Sequence, residues 1–100
     1  EISLELIVER ACHAPADLFG VQERGYVREG WYADLVIVDP EKPFRVEKSN
    51  LLCKCHWSPF EDHEFSSTID TTIVNGEIVY HDGELTRNIA GQRLEFNRAR

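Results

Sequence analysis

The stretch GWYADLVIVDP, residues 30–40, carries the strongest strand signal in the sequence. Residues 33–39 include five apolar side chains, three of which are β-branched. Successive side chains of a strand point to opposite faces, so both faces of this strand would be apolar and both should be covered. Gly30 and Pro40 punctuate its ends. The sequence therefore predicts a central strand here, and the rest of the chain should supply its neighbours and its cover.

A second strand-rich segment, residues 68–80, contains Asn75-Gly76 between two β-prone runs. Asn-Gly is typical of a two-residue type I′ turn, because both positions need a positive φ. The predicted hairpin pairs Val74 with Glu77, Ile73 with Ile78, and Thr71 with Tyr80.

Alternation along this hairpin predicts one apolar face and one mostly polar face. Asp82-Gly83 predicts a second tight turn, which would set Leu85 opposite Tyr80. The apolar face consists of Ile69, Thr71, Ile73, Ile78 and Tyr80.

The N-terminal residues 3–12 have the apolar spacing of an amphipathic helix. Ile2 and Leu6 widen the apolar arc, which in an isolated segment would be partly exposed. The residue before a proline avoids helical geometry, so this helix should end at Ala14. Pro15 should begin a short second helix that Gly20 ends. The residues that form the apolar stripe of the first predicted helix are Leu4, Ile7, Val8, Ala11 and Cys12.

The remaining segments give weaker signals. Residues 44–46 alternate as in a short strand, residues 48–50 have turn composition, and residues 51–57 are interpreted as a further short strand. From Asn88 onward the chain is polar, which predicts a frayed end. The fold class is therefore α+β, mainly β, with one or two N-terminal helices.

Composition limits the function classes. One hundred residues with 42% hydrophobic content fit one small domain. A net charge of -7 disfavours nucleic acid and anionic membranes as partners, because both select a basic face. No apolar run reaches the roughly 18 residues of a membrane helix. The chain lacks Met and opens inside a helical pattern, so we expect a segment of a longer protein.

The three cysteines follow no disulfide framework, which indicates reduced thiols and a cytoplasmic location. Cys53 and Cys55 would share one face of a strand and, with His56, could hold zinc. The second ligand pair of a structural zinc site is missing, although Asp62 and His63 follow. Half-buried thiols beside Trp57 are therefore the favoured interpretation, and changing both cysteines to Ser should barely alter folding.

Other candidate side chains also have structural interpretations. Asp34 and Asp39 flank the first strand and could be catalytic, but bonding to turn backbone is favoured. His13 should lie at a helix end, near the C-terminal dipole, and Ser58 before proline indicates a turn. Motifs for phosphate, dinucleotide or zinc-protease sites are absent from the sequence. We therefore assign no catalytic, cofactor-binding or metal-ligating residue.

The order of several short motifs resembles the C-terminal region of cyclic amidohydrolases. The motifs are Pro15-Ala16, Phe19-Gly20, Gly25, Gly30, residues 33–39, Ser58-Pro59-Phe60 and residues 72–80. Residues 54–60 are most similar to dihydroorotases, whereas hydantoinases, dihydropyrimidinases and allantoinases share the remaining pattern. The family usually has Gly where this chain has Asp62, and Asp tolerates the left-handed backbone that such a turn needs.

This resemblance implies a parent enzyme with a zinc-binding (β/α)₈ barrel and a β-sandwich built from both chain ends. Residues 1–20 would be the last barrel helices and residues 21–100 the C-terminal half of the sandwich. The implied reaction is the reversible hydrolysis of dihydroorotate to N-carbamoyl-aspartate in pyrimidine biosynthesis. The zinc ligands of the family lie upstream of the matched part, so this segment should be non-catalytic.

The implied partners are the barrel and the N-terminal strands of the parent, and a homo-oligomeric parent is compatible with the pattern. Two alternatives stay open at this point. One is the same segment of a hydantoinase, dihydropyrimidinase or allantoinase. The other is a free-standing β-rich interaction module.

Overall fold

The computed structural model describes residues 2–86 and 91–97, which form an N-terminal helical segment and two antiparallel sheets. The helical elements are α1 (Leu4–Val8), a π-helical turn (Glu9–His13), α2 (Ala14–Phe19) and a 3₁₀ turn (Lys48–Asn50). The strands are β1 (Leu35–Asp39), β2 (Phe44–Arg45), β3 (Glu64–Phe65), β4 (Thr68–Val74), β5 (Glu77–His81) and β6 (Glu84–Leu85). The predicted α+β class is confirmed. Within the described ranges, none of the helices is long and apolar enough to cross a membrane.

The predicted second helix is confirmed as α2, Ala14–Phe19, with Pro15 in its first turn. The backbone stays helical through Ala14, so the predicted end of the first helix at this residue is wrong. Ala14 itself is helical, with φ -60° and ψ -44°, and its N–H donates to the carbonyl of Glu9. This bond spans five residues, and such a π-helical turn widens the helix where proline removes a donor. The Ser3 hydroxyl accepts from Leu6 N–H at 3.2 Å, and Gly20 ends the segment with φ 66°, as predicted.

The larger sheet has the strand order β1-β4-β5-β6. Among the described residues β1 pairs with β4 alone, so the predicted central strand lies at an edge. Its apolar side chains remain accessible: Val36 is 55% exposed and Val38 is 43% exposed. The two-faced apolar pattern predicted the strand correctly, but the described residues supply neither the expected cover on both faces nor a second neighbouring strand.

The β4–β5 hairpin closes as predicted at Asn75 (φ 50°) and Gly76 (φ 80°). Val74 pairs with Glu77 and Ile73 with Ile78, but beyond Ile73 the register shifts. The shift pairs Thr72 with Tyr80 and Thr71 with His81, so the predicted Thr71–Tyr80 pair is wrong. A β-bulge moves every later residue by one position, which two-residue alternation cannot anticipate. Leu85 lies opposite Tyr80 as predicted.

The smaller sheet pairs Phe44 with Phe65 and Arg45 with Glu64, which confirms the short strand at residues 44–46. Residues 48–50 form the 3₁₀ turn, so that turn is confirmed as well. Residues 51–57 contain turns and no strand, so that strand prediction is wrong. The His56 N–H donates to the Cys53 carbonyl at 3.4 Å, which folds the segment back on itself.

The loop after α2 lies against the helical segment through Gly25. A Cβ at this position would clash with the Ala16 side chain and lie 2.9 Å from the Cys12 carbonyl oxygen, so only glycine permits the approach. Near the other end of the chain, Val21 bridges to Phe96 and Asn97 N–H donates to the Gly20 carbonyl at 2.6 Å. The predicted frayed end is therefore wrong for residues 95–97, while residues 88–90 and 98–100 lie outside the described residues.

Few side chains of this fold are buried. Of the described apolar residues, Ala16 and Val46 are buried, each 8% exposed, and none of the described side chains is fully buried. The accessible surface is 8487 Å², whereas a folded monomer of this mass is expected to expose about 5,800 Å². The radius of gyration is 15.8 Å, against about 13 Å for a compact domain of this length. The fold is regular in its strands but lacks a closed core.

Candidate functional site

Arg24 is the most enclosed charged group of the described residues, at 7% exposure. Its guanidinium forms an ion pair with Asp34 and donates to the Asn75 side-chain oxygen at 3.1 Å. It also lies 4.1 Å from the centre of the Tyr32 ring. Planar stacking and forked donation are the contacts that arginine makes best. The cluster joins the loop before β1 to the β4–β5 turn.

Asp34 completes this junction through the backbone. Its second carboxylate oxygen accepts from the Asn75 N–H at 2.8 Å, and the Gly76 N–H donates to the Ala33 carbonyl at 3.0 Å. Asp39 accepts from the Glu41 N–H at 3.0 Å. Both aspartates therefore bond to turn backbone, as the favoured interpretation predicted. Sequence reasoning missed Arg24, because nothing local distinguishes it from the other arginines.

The Cys53, Cys55 and His56 group does not have the predicted strand geometry. All three residues lie in or beside a turn, with His56 at φ 55°. The thiols of Cys53 and Cys55 lie 3.6 and 3.8 Å from the Trp57 carbonyl oxygen. Both cysteines are exposed, so the prediction of half-buried thiols is wrong, because Trp57 is itself 61% exposed and covers neither of them.

Asp62 and His63 have structural partners of their own. Asp62 has φ 68°, so it takes the left-handed conformation expected of it, and its N–H donates to the Val46 carbonyl at 2.8 Å. The His63 ring lies edge-on to Phe65, with 4.5 Å between ring centres. Across residues 2–86 and 91–97, no group of three or more His, Cys, Asp or Glu side chains is arranged to hold a metal ion.

His13 and Ser58 both make structural contacts. His13 is the last residue of the π-helical turn, as predicted for a helix end, although α2 follows it directly. Its ring stacks on Tyr26 with 3.9 Å between ring centres. The Ser58 hydroxyl accepts from the Phe60 N–H at 3.1 Å, which confirms the turn. The Trp31 ring packs edge-on against the Tyr26 ring, with 6.0 Å between ring centres, so Trp31 has a structural contact here.

The β-bulge creates a polar cluster that sequence reasoning missed. Thr71, 5% exposed, donates its hydroxyl proton to Asp70 at 2.7 Å and lies 3.0 Å from the His81 ring nitrogen Nδ1. A nucleophilic hydroxyl would instead donate to the histidine that activates it. These hydrogen bonds therefore stabilise the shifted strand register. The sequence does not predict the cluster, because strict alternation would place Thr71 and His81 on opposite faces.

An apolar groove of about 280 Å³ lies between the two sheets. Among the residues that line it, the only ionisable side chain is Tyr80, so the groove offers no acid–base pair. Its lining residues are Phe44, Phe65, Ser67, Thr68, Ile69 and Tyr80.

Comparisons with known proteins agree with this organisation. The model of the amidohydrolase family matches residues 1–79. The dihydroorotase of Pyrococcus furiosus is 31% identical over 93% of this chain and 22% of its own length, and the allantoinase of Bacillus velezensis is 39% identical over 82% of this chain and 18% of its own length. The solved L-hydantoinase (dihydropyrimidinase) from Arthrobacter aurescens matches with a TM-score of 0.74 and 35% identity, over 85% of this chain and 19% of that structure.

The chain thus spans about a fifth of the length of the curated relatives it matches. The family match covers more than half of the chain, and the backbone of the chain superimposes on part of the solved L-hydantoinase. This chain is a segment of a member of the amidohydrolase family.

Proposed function

We propose that this chain is the non-catalytic C-terminal segment of a zinc-dependent, dihydroorotase-like enzyme of the cytoplasm. The parent reversibly hydrolyses dihydroorotate to N-carbamoyl-aspartate in pyrimidine biosynthesis. In this proposal residues 1–20 belong to the barrel, and residues 21–100 complete a β-sandwich with strands from the N-terminal part of the parent. The segment shields one flank of the barrel and finishes a sheet.

The observation that carries this proposal is the amount of uncovered apolar surface. Leu4 is 66% exposed and Ile7 is 48% exposed, so the apolar arc of α1 faces outward. Both faces of β1 are accessible as well, with Val36 and Ile37 at 55% and 49%. Large apolar side chains exposed in this number mark contact regions. A barrel and additional strands are the cover that a segment of this family would have.

The zinc of the proposed parent does not fit the described residues of this chain. The sequence has no His-x-His pair, and within residues 2–86 and 91–97 no three ionisable ligands converge on one point. Zinc sites need three or four convergent ligands. The proposal therefore places the metal and the reacting groups in the rest of the parent.

The direct test compares the product of the complete gene with the 100-residue chain alone. We expect the complete protein to hydrolyse dihydroorotate and the isolated chain to show no turnover and no tight zinc binding. Turnover by the isolated chain would end the proposal of a non-catalytic role. Lack of dihydroorotate hydrolysis by the complete, zinc-loaded protein would remove the proposed substrate.

A second candidate function keeps the segment and changes the substrate to a hydantoin, a dihydropyrimidine or allantoin. It is favoured by the allantoinase and L-hydantoinase matches, whose identities of 39% and 35% lie within the 31–41% range of the dihydroorotases that match this chain. Turnover measured side by side on dihydroorotate, hydantoin, dihydrouracil and allantoin separates the two. Dihydroorotate should give the highest kcat/KM.

A free-standing β-rich interaction module is the remaining alternative. It would have to keep stable strands with only Ala16 and Val46 buried among its described apolar side chains. Burial of apolar area is the main favourable term in folding, so such a module would be poorly stabilised. A gene that encodes these residues and no barrel would favour this alternative.

A further inference from the structure

Cys53 and Cys55 lie on one exposed turn with their sulfur atoms directed to the same point. Both thiols lie within 3.8 Å of the Trp57 carbonyl oxygen, which is their common hydrogen-bond acceptor. Because they share one acceptor atom, the two sulfur atoms lie on the same side of the turn. The third cysteine, Cys12, lies in the helical segment and takes no part in this pair.

The turn geometry brings the two residues within reach of a covalent link. In an extended strand, residues two apart would be separated by about 6.7 Å between Cα atoms, near the upper limit for a disulfide. Here the Cys53 carbonyl accepts from the His56 N–H at 3.4 Å, so Cys55 lies inside a turn and closer to Cys53 than in a strand. The left-handed backbone of His56, φ 55°, then directs the chain back toward the thiols.

The two thiols are chemically unequal. A hydrogen bond from the Trp57 backbone is the largest cause that lowers the pKa of the Cys55 thiol. The thiolate is the form that attacks disulfides, so a lowered pKa makes Cys55 the attacking sulfur at neutral pH. Cys53 is then the neighbouring thiol that can resolve the product.

We propose that Cys53 and Cys55 form a reversible redox pair, which closes to an intramolecular disulfide by exchange with a small-molecule disulfide of the glutathione class. The Cys55 thiolate attacks one sulfur of the oxidised molecule, forms a mixed disulfide and releases one thiolate. Cys53, after losing its proton to solvent, attacks the Cys55 sulfur and expels the second thiolate. The protein loses two electrons and two protons, and the small disulfide is reduced to two thiols.

Closure changes the contacts of the Trp57 segment. Both S–H groups are consumed, so the Trp57 carbonyl loses two sulfur donors. Exposed disulfides in short turns are the readily reduced type, because they gain little from burial and strain favours opening. The pair therefore reports the thiol–disulfide balance around the protein and does not lock its structure.

The experiment uses the product of the complete gene, reduced and then freed of reductant. Treatment with oxidised glutathione should remove two titratable thiols and lower the mass by two hydrogens. Peptide mapping should place the link between Cys53 and Cys55, and dithiothreitol should reverse it. The Cys12→Ser variant should close in the same way, since Cys12 lies outside the pair.

Single variants separate the attacking from the resolving sulfur. Cys53→Ser should accumulate a glutathione adduct on Cys55, and Cys55→Ser should accumulate one more slowly on Cys53. Serine fits both exposed positions, and circular dichroism before oxidation should match that of the unmodified protein. A glutathione adduct that persists on Cys53 or Cys55 of the Cys12→Ser protein, a failure of these two thiols to react before unfolding, or equal adduct rates in the two single variants would each overturn the proposal. None of these results bears on the substrate of the parent enzyme.

Discussion

The β4–β5 hairpin and helix α1 have equally clear sequence patterns but opposite surroundings. The hairpin holds Thr71 at 5% exposure, and its turn is fixed from outside by Asp34 and Arg24. Helix α1 contains no buried residue, although four of its five residues are apolar. The hairpin is therefore packed and hydrogen-bonded within this chain, whereas the apolar side chains of α1 stay exposed.

The difference teaches what each kind of pattern encodes. A turn such as Asn75-Gly76 contains its own cause, because local φ preferences fix the geometry. An amphipathic stripe indicates that the helix packs against another part of the protein, but it does not identify that part. Helices gain most of their stability from such packing. Substitutions in the two regions should therefore respond differently to the presence of the rest of the enzyme.

The largest effect should come from Arg24→Ala, which opens the junction that supports the hairpin. The change leaves Asp34 without its cation and removes the contacts to Asn75 and Tyr32. Removing one partner of an enclosed ion pair costs about 3 kcal/mol of unfolding free energy. Urea unfolding of the complete protein measures it.

Arg28→Ala is the matched control. Arg28 lies over the Tyr26 and Trp31 rings but is exposed, and such cation–π contacts contribute about 0.5–1 kcal/mol. Equal losses for the two arginine variants would show that the hairpin does not depend on its enclosed junction.

Leu4→Ala tests helix α1 and should cause the second-largest loss of unfolding free energy. If α1 packs on a barrel in the complete protein, removing this side chain should lower the unfolding free energy by about 2 kcal/mol. Glu5→Ala, one residue along the same helix, should change it by less than about 0.5 kcal/mol. A negligible effect of Leu4→Ala would mean that α1 stays as exposed in the enzyme as it is here.

Gly76→Ala should weaken the hairpin turn alone. Gly76 has φ 80°, and a Cβ added there would meet no atom within 4 Å, so the cost comes from the backbone and not from a clash. A left-handed non-glycine residue costs about 1–2 kcal/mol. Gly91→Ala, where no positive φ applies, should leave thermal stability unchanged; a similar loss at both glycines would contradict the local origin of the turn.

The smallest expected change in stability comes from the hydrogen bond between Asp17 of α2 and Tyr26 in the loop that follows α2. The Tyr26 hydroxyl donates to Asp17 at 2.6 Å, and this hydrogen bond, with a smaller contribution from burial, raises the pKa of Tyr26. The folded state thus keeps the phenol proton at a pH where the unfolded chain has lost it. The stabilisation is present below pH 10 and disappears as the pH rises through the elevated value.

Asp17→Ala should bring this pKa back toward its ordinary value. Ultraviolet titration of the phenolate, with Tyr32 and Tyr80 changed to Phe, isolates the signal of Tyr26. Asp39→Ala serves as the control, because Asp39 accepts from a turn backbone elsewhere. An identical Tyr26 titration in the Asp17 and Asp39 variants would refute the assigned cause.

The parts of the fold that the sequence predicted are those with a local cause. Asn75-Gly76, Asp82-Gly83 and Gly20 each need a positive φ, and each stands where the structure has it. The missed features depend on distant partners or on single inserted residues. The bulge beside Thr72 shifts the pairing by one, and the π-helical turn carries the helix through Pro15; alternation and proline rules describe neither.

The candidate site follows the same division. Backbone bonding by Asp34 and Asp39 was predictable, because aspartate next to a turn has a standard local role. Arg24 was not, since its partners Asp34 and Asn75 lie 10 and 51 residues away. The spacing of Cys53 and Cys55 predicted that the two thiols lie close together. The turn that holds them was not predicted, because residues 51–57 have the composition of a short strand.

Strand β1 has a consequence for handling this polypeptide on its own. Among the described residues one edge of β1 carries unpaired backbone donors and acceptors, and apolar side chains flank that edge on both faces. Such an edge accepts any extended segment, whether a proper neighbour or a second copy of the same strand. Overproduction of this chain by itself should therefore favour cross-β polymers. If the parent supplies a strand to this edge, as proposed above, the complete protein should instead be monodisperse.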